Sequence, residues 1–134
     1  MIVVDVNALA YLWLPGEFTN LATQVLQKDK VWLSTLLWRS EFRNVLVQYL
    51  RRNLISRPLA EACLASAEAQ MIGNEFMLPS RLVLDEAARS TCTAYDCEYV
   101  ALARDRGVPL ITADRQVLRE FPGIAVSMED FVKR

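Results

Sequence analysis

Four carboxylates stand where this chain is expected to turn from strand into helix or inside a helix between strands, and the chain contains no histidine. Asp5 ends the first apolar run, and Asp114 follows a strand-like segment near residue 110. Asp96 opens an apolar helix, whereas Glu41 lies within a helical stretch. Ligands of an open α/β sheet gather outside the carboxyl ends of its strands, so these acids can converge on one pocket.

The chemistry that this set of acids favours is metal-dependent hydrolysis of phosphodiesters. Clustered carboxylates repel one another unless protons or a cation intervene. Oxygen ligands without imidazole favour Mg²⁺ or Mn²⁺ over zinc or copper. The absence of histidine also excludes the histidine acid–base pair that metal-free ribonucleases use.

Each acid has an ordinary explanation as well. Asp96 and Asp114 can each cap a helix, where a carboxylate accepts backbone N–H groups and complements the helix dipole. Asp5 is harder to explain in this way because Asn7 is already placed to cap the first helix. Glu41, taken alone, would be a solvated helix residue.

The helix that carries Glu41 has an unusual face. Asn44 and Gln48 follow Glu41 by three and seven residues, so the three side chains form one stripe. Arg39 and Arg43 lie about 200° away on the helix wheel, at roughly 100° per residue, and cannot be simple salt-bridge partners of Glu41. The stripe suggests the wall of a pocket; alternatively, the two amides satisfy buried backbone groups or water.

The elements that must position these residues alternate along the chain. Apolar segments near residues 2–6, 31–33, 76–78, 108–112 and 124–126 are expected to be strands, and helices or helix pairs separate them. This order predicts an α/β fold with three α/β/α layers and a parallel, roughly five-stranded sheet.

Length and composition fit one intracellular domain over residues 1–134. The 134 residues are 53% hydrophobic with a net charge of −1, which argues against binding of nucleic acid by bulk charge alone. Three cysteines without Cys-x-x-Cys spacing predict neither disulfides nor structural zinc and fit a reducing, cytoplasmic setting. With an acid in the first apolar run and no membrane-length apolar segment, we expect neither a signal peptide nor contact with a membrane.

The three tryptophans leave a choice open. Trp13, Trp32 and Trp38, with the apolar helices near residues 8–26 and 36–50, exceed what one small core obviously needs. They can line a groove for an amphipathic partner helix. Alternatively, they complete the core or the seam of a homodimer.

Four segments together resemble the PIN-domain nucleases, most closely the VapC-type toxins of bacterial and archaeal toxin–antitoxin pairs. Their order and spacing extend over essentially the whole chain. The segments are Val3–Asn7, Ser40–Asn44, Ala94–Ala103 and Leu110–Arg115.

This resemblance implies site residues, an activity and partners. The acidic positions of the family correspond to Asp5, Glu41, Asp96 and Asp114, of which the three aspartates are the expected metal ligands. The supporting positions correspond to Asn7, Asn44 and Thr112. The implied protein is a Mg²⁺- or Mn²⁺-dependent endoribonuclease that cleaves RNA, pairs with an antitoxin protein and forms a homodimer.

Other charged residues receive weaker assignments. Arg115, next to Asp114, is a candidate for phosphate contacts, as are Arg81, Arg104 and Arg106, although a solvated surface explains any one of them. Glu98 follows Asp96 by two residues, lies on a different helix face and is expected at the surface.

The sequence also bears on two rival functions. A phosphatase with an aspartyl nucleophile needs a second aspartate two residues after the first, but position 7 is Asn. The remaining alternative is a non-catalytic module of the same fold that binds RNA or protein.

Overall fold

The computed structural model describes residues 1–134, which form five short strands and eight helices. The strands are β1 (Ile2–Val4), β2 (Trp32–Thr35), β3 (Glu75–Phe76), β4 (Leu110–Ile111) and β5 (Ala125–Val126). The helices are α1 (Val6–Trp13), α2 (Thr19–Lys28), α3 (Leu37–Arg51), α4 (Arg57–Met71), α5 (Ser80–Ala88), α6 (Ala94–Arg106), α7 (Arg115–Glu120) and α8 (Met128–Lys133).

The five strands form one parallel sheet in the order β3-β2-β1-β4-β5. The central strand β1 pairs on both sides, and Val3 lies opposite Leu33 of β2 and Leu110 of β4. The chain first builds the sheet outward through β2 and β3 and then returns to the other side of β1. A switch point of this kind, between β1 and β4, is where open α/β sheets bind their ligands.

Both faces of the sheet are covered, because consecutive residues of β1 enter different cores. Val4 belongs to a larger cluster with side chains of α1 to α4 and α8. Val3 belongs to a second cluster with side chains of α6 and α7. A strand buried on both faces is continuously apolar, as parallel sheets require. The predicted three-layer α/β/α fold with a five-stranded parallel sheet is confirmed.

The tryptophans serve mainly the interior. Trp32 and Trp38 lie in the larger core with 1% and 0% of their surfaces exposed. Trp13 is half-buried, and its indole N–H donates to Oε1 of Gln70 at 2.7 Å. The core explanation is therefore confirmed for Trp32 and Trp38.

Helix ends follow the expected sequence signals, whereas four of the five strands are shorter than expected and β2 extends further, to Thr35. Ser56 caps α4 with Pro58 just inside it, and Gly107 ends α6 with a φ of 65°. The strand expected over 108–112 is paired only at Leu110–Ile111. The prediction followed the apolar run, which is longer than the segment that pairs with neighbouring strands. None of the eight helices combines the length and apolar character that crossing a bilayer requires.

Candidate metal centre

Asp5 sits directly after β1, at the switch point of the sheet, and is 7% exposed. It is the N-cap of α1, and its Oδ1 accepts the backbone N–H groups of Asn7 and Ala8 at 3.0 and 3.3 Å. The expectation that Asn7 caps this helix is therefore wrong. The strand ends earlier than predicted, so the helix begins at Val6 and Asn7 lies inside it.

The other carboxylate oxygen of Asp5 links the two central strands. Thr112, just after β4, donates its hydroxyl to Oδ2 of Asp5 at 2.5 Å, and both groups are buried. Despite three donors, burial raises the pKa of Asp5 from 3.8 to about 6, and the charge of Glu41 contributes to the rise. Asp5 is thus a buried carboxylate that no cationic side chain neutralises.

Glu41 lies on α3 and is half-buried. Its Oε1 accepts the hydroxyl of Tyr99 on α6 at 2.5 Å. Burial raises the pKa of Glu41, the Tyr99 hydrogen bond opposes the rise, and the charges of Asp96 and Glu98 add to it. Glu41 is therefore close enough to both Asp5 and Asp96 for their negative charges to interact with its own.

Asp96 lies in the first turn of α6 but does not cap the helix. The cap is Thr93, whose hydroxyl accepts the backbone N–H of Asp96 at 3.1 Å. The ordinary explanation of Asp96 as the capping residue is therefore wrong. Its carboxylate forms no hydrogen bond within the chain and lies near a helix N-terminus, where negative charge is favoured.

Asp114 does cap a helix, as its ordinary explanation predicted. Its Oδ1 accepts the backbone N–H of Val117 in α7 at 3.0 Å. Its own backbone N–H donates to the hydroxyl of Thr112 at 3.0 Å. Because the same hydroxyl donates to Asp5, one threonine ties the loops after β1 and β4 together. The supporting role expected of Thr112 thus has a physical basis.

The remaining predicted residues are more open. Asn44 and Gln48 are exposed on α3, so they do not satisfy buried backbone groups. Asn7 is half-buried and lines a groove of about 370 Å³ that continues past Tyr11 to Tyr49.

No arginine forms a salt bridge with these acids. Arg39 pairs with Glu75 and Glu68, so it is not a partner of Glu41, as the helix wheel predicted. Arg104 pairs with Glu86 and stands eight residues from Asp96 on α6, about 12 Å along the axis. None of the four candidate acids takes part in a salt bridge.

The four acids form a loose cluster that is connected by pairwise interactions, and they do not form a ready-made set of metal ligands. The charge of Glu41 acts on Asp5, the charge of Asp96 acts on Glu41, and Asp114 is joined to Asp5 through the Thr112 hydroxyl. As placed, no three His, Cys, Asp or Glu side chains are close enough together to hold a metal ion. A cation that bridges these oxygens would have to draw the carboxylates inward against their repulsion.

Sequence reasoning missed two members of this cluster. Tyr99 is 3% exposed and was read only as part of an apolar helix. Glu98 is half-buried rather than on the open surface, and burial raises its pKa. Helix α6 packs against β1 and β2 and also against α5, so residues on more than one of its faces are buried. The signal that could have found Tyr99 is its spacing, three residues after Asp96.

Known proteins share this fold. The chain has a TM-score of 0.78 with the crystal structure of PAE2754 from Pyrobaculum aerophilum, at 22% identity over 99% of this chain and 87% of that one. With FitAcB from Neisseria gonorrhoeae the TM-score is 0.73, at 13% identity over 96% of this chain and 99% of that one.

Sequence comparison gives the family. The chain is 28% identical to Ribonuclease VapC3 of Pyrobaculum aerophilum, over 92% of this chain and 96% of the relative. Residues 2–123 match the sequence model of the PIN domain. The predicted resemblance is confirmed, and the chain belongs to the PIN domain family.

Proposed function

We propose that this chain is a metal-dependent endoribonuclease, the toxin of a VapBC-type toxin–antitoxin pair. The observation that carries the proposal is the buried Asp5 carboxylate at the switch point, with no basic partner and in the field of Glu41. PIN-domain nucleases depend on divalent metals, and the relative named Ribonuclease VapC3 is in accord with cleavage of RNA.

The chemical types of the residues present fit a divalent cation. A carboxylate whose pKa is raised to about 6 by burial gains from any positive charge placed beside it. The donors are carboxylate oxygens, which favour Mg²⁺ or Mn²⁺, and we assign Asp5, Asp96 and Asp114 as the ligands. When bound, such a cation activates water and neutralises charge on the scissile phosphate.

The protein groups have separate tasks in this assignment. Thr112 and the first turn of α1 fix the orientation of Asp5. Glu41 would add negative charge to the site, and the oxygen that Tyr99 leaves free would be available to accept a hydrogen bond from water. Exposed groups at the rim, including Asn44 and Arg115, are available to contact the RNA backbone. Single-stranded or looped RNA is the substrate class, because its phosphates can enter a recessed site.

The proposed partners are an antitoxin and a second copy of this chain, in the cytoplasm. The groove that begins at Asn7 is lined by Tyr11, Phe18 and Tyr49 and is large enough for side chains of a partner helix. Large apolar side chains remain exposed elsewhere, including Ile72, Met77 and Leu84. Sedimentation of the purified chain, alone and with the product of the neighbouring gene, tests both partners.

A cleavage assay decides between this function and the non-catalytic alternative. Purified protein is incubated with RNA and Mn²⁺, with and without chelator, and Asp5→Asn serves as the control for contaminating nuclease. We expect cleavage that needs the metal and is lost in Asp5→Asn. Binding of RNA without metal-dependent cleavage would instead identify a binding module.

A further inference from the structure

The acids of the site are not all held in the same way. Asp5 and Asp114 each occupy a helix N-cap, where free backbone N–H groups orient the carboxylate. Glu41 lies in the interior of α3, where the backbone N–H groups are already used by the helix. The backbone therefore offers Glu41 no anchor, and a longer side chain must be oriented by other means.

The anchor that the structure supplies is a phenol. Tyr99 donates its hydroxyl to Oε1 of Glu41 and thereby joins α6 to α3 across 58 residues of sequence. The tyrosine is 3% exposed, and Thr35 at the end of β2 is fully buried beside it. A phenol in such a position has little freedom to turn, so the oxygen that it holds is fixed in space.

Without this anchor, Glu41 has reason to turn away. The charges of Asp96 and Glu98 oppose its ionised form, and burial does so as well. A glutamate with three side-chain torsions would escape both costs by rotating toward solvent. Burial and the nearby carboxylates raise the pKa of Tyr99, so the hydroxyl keeps its proton and remains a donor at neutral pH.

We propose that Tyr99 is a positioning residue for the nuclease reaction: its hydroxyl fixes one oxygen of Glu41 so that the other faces the metal site. This inference rests on the proposed function, because it assigns a task to Tyr99 within that same site. Groups that orient metal-site carboxylates typically contribute tenfold or more to affinity or activity.

The test is a double-mutant cycle with Tyr99→Phe and Glu41→Ala. We expect Tyr99→Phe to weaken Mn²⁺ binding to the RNA-free protein, measured by calorimetry, and to lower kcat by roughly ten- to hundredfold. In the Glu41→Ala background, Tyr99→Phe should have almost no further effect on either quantity, because alanine offers the Tyr99 hydroxyl no acceptor. Tyr95→Phe, on the same helix with 63% exposure, is the matched control and should change neither.

A purely structural tyrosine would behave differently. Tyr99→Phe would then lower the free energy of unfolding while Mn²⁺ affinity and kcat of the folded protein stayed at the wild-type values, which would overturn the inference. Equal losses with and without the Glu41 carboxylate would also overturn it. If the wild-type protein neither binds Mn²⁺ nor cleaves RNA, the proposed function fails together with this inference. If only Tyr99→Phe is indistinguishable from wild type, the inference alone fails.

Discussion

Two buried carboxylates of this protein are treated in opposite ways. Glu86 on α5 is 2% exposed and forms ion pairs with Arg104 and Arg89, the first through both carboxylate oxygens. Asp5 is 7% exposed and receives only two backbone N–H groups and one hydroxyl. Both acids are removed from water, but only Glu86 has cationic partners within the chain.

The contrast separates a structural acid from the acid that we propose as a metal ligand. A buried charge needs a partner of opposite sign or a shifted pKa, and Glu86 has the first whereas Asp5 has the second. A buried acid without a counter-charge lowers the free energy of unfolding. A cation bound beside it, at the switch point of the sheet, would raise that free energy again. Each of the following changes tests one side of this comparison.

The largest effect is expected for cleavage. Asp5→Asn or Asp96→Asn should lower kcat by about a thousandfold or more. Each substitution removes a charge that is proposed to hold the cation, and the cation is expected to stabilise the transition state by several kcal/mol. Glu86→Gln should cleave at nearly the wild-type rate per folded molecule. Single-turnover assays in Mn²⁺ measure all three variants, and full activity in either aspartate variant would contradict the site assignment.

Stability should respond in the reverse order. Glu86→Gln leaves two guanidinium groups without their shared carboxylate and should lower the free energy of unfolding by about 2 kcal/mol. The cost stays below that of a fully buried pair because the side chains of Arg104 and Arg89 are 46% and 53% exposed and can be hydrated. Denaturation in urea measures this change, and an unchanged midpoint would show that the ion pairs of Glu86 do not contribute to the free energy of unfolding.

Asp5→Asn should stabilise the metal-free protein at pH 7, by about 1–3 kcal/mol. Asparagine can still cap α1 through its side-chain oxygen, and it removes the cost of ionising a buried carboxyl. Denaturation in chelator compares the variant with the wild type. A destabilised variant would show that the negative charge of Asp5 is already compensated within the chain.

The pH dependence of the wild type follows from the same shift. Between about pH 4 and 6 the unfolded chain releases the Asp5 proton before the folded protein does, since burial raises the folded-state pKa from 3.8 to about 6. The free energy of unfolding in chelator should therefore fall as pH rises through this window and then level off. In Asp5→Asn this part of the decline should be absent, and its persistence would assign it to other groups.

The smallest effect is expected at an exposed ion pair. Arg57 and Glu61, one turn apart on α4, have side chains that are 76% and 65% exposed. Arg57→Ala should change the free energy of unfolding by less than about 0.5 kcal/mol and leave cleavage unaltered. A larger loss would mean that pairing in itself, rather than burial, explains the contrast between Glu86 and Asp5.

The fold could be predicted from the sequence because the patterns that indicate its strands and helix ends are local. Continuous apolar strands, the Ser56 cap and Gly107 each act within a few residues, and their order was enough to predict a parallel sheet. Assignments that differ by only two residues were less secure. Asp5 and Asn7 are both good caps, and only the end of strand pairing at Val4 selects the first.

The partners of the candidate site depend on long-range packing. The contact between Tyr99 and Glu41 spans 58 residues, and that between Arg104 and Glu86 joins two helices, so neither follows from periodicity. Glu86 received no role from the sequence for this reason. The four acids could be proposed from the sequence because each lies in a segment that resembles the family, but which of them would lack a counter-charge could not be predicted.

Titration of the metal-free protein with Mn²⁺ tests the central claim most directly. Calorimetry of the wild type, Asp5→Asn and Glu86→Gln would follow binding without RNA. The account predicts a saturable site in the wild type and in Glu86→Gln that is lost or greatly weakened in Asp5→Asn. Equal Mn²⁺ affinity in the wild type and Asp5→Asn, or no binding by the wild type, would contradict it.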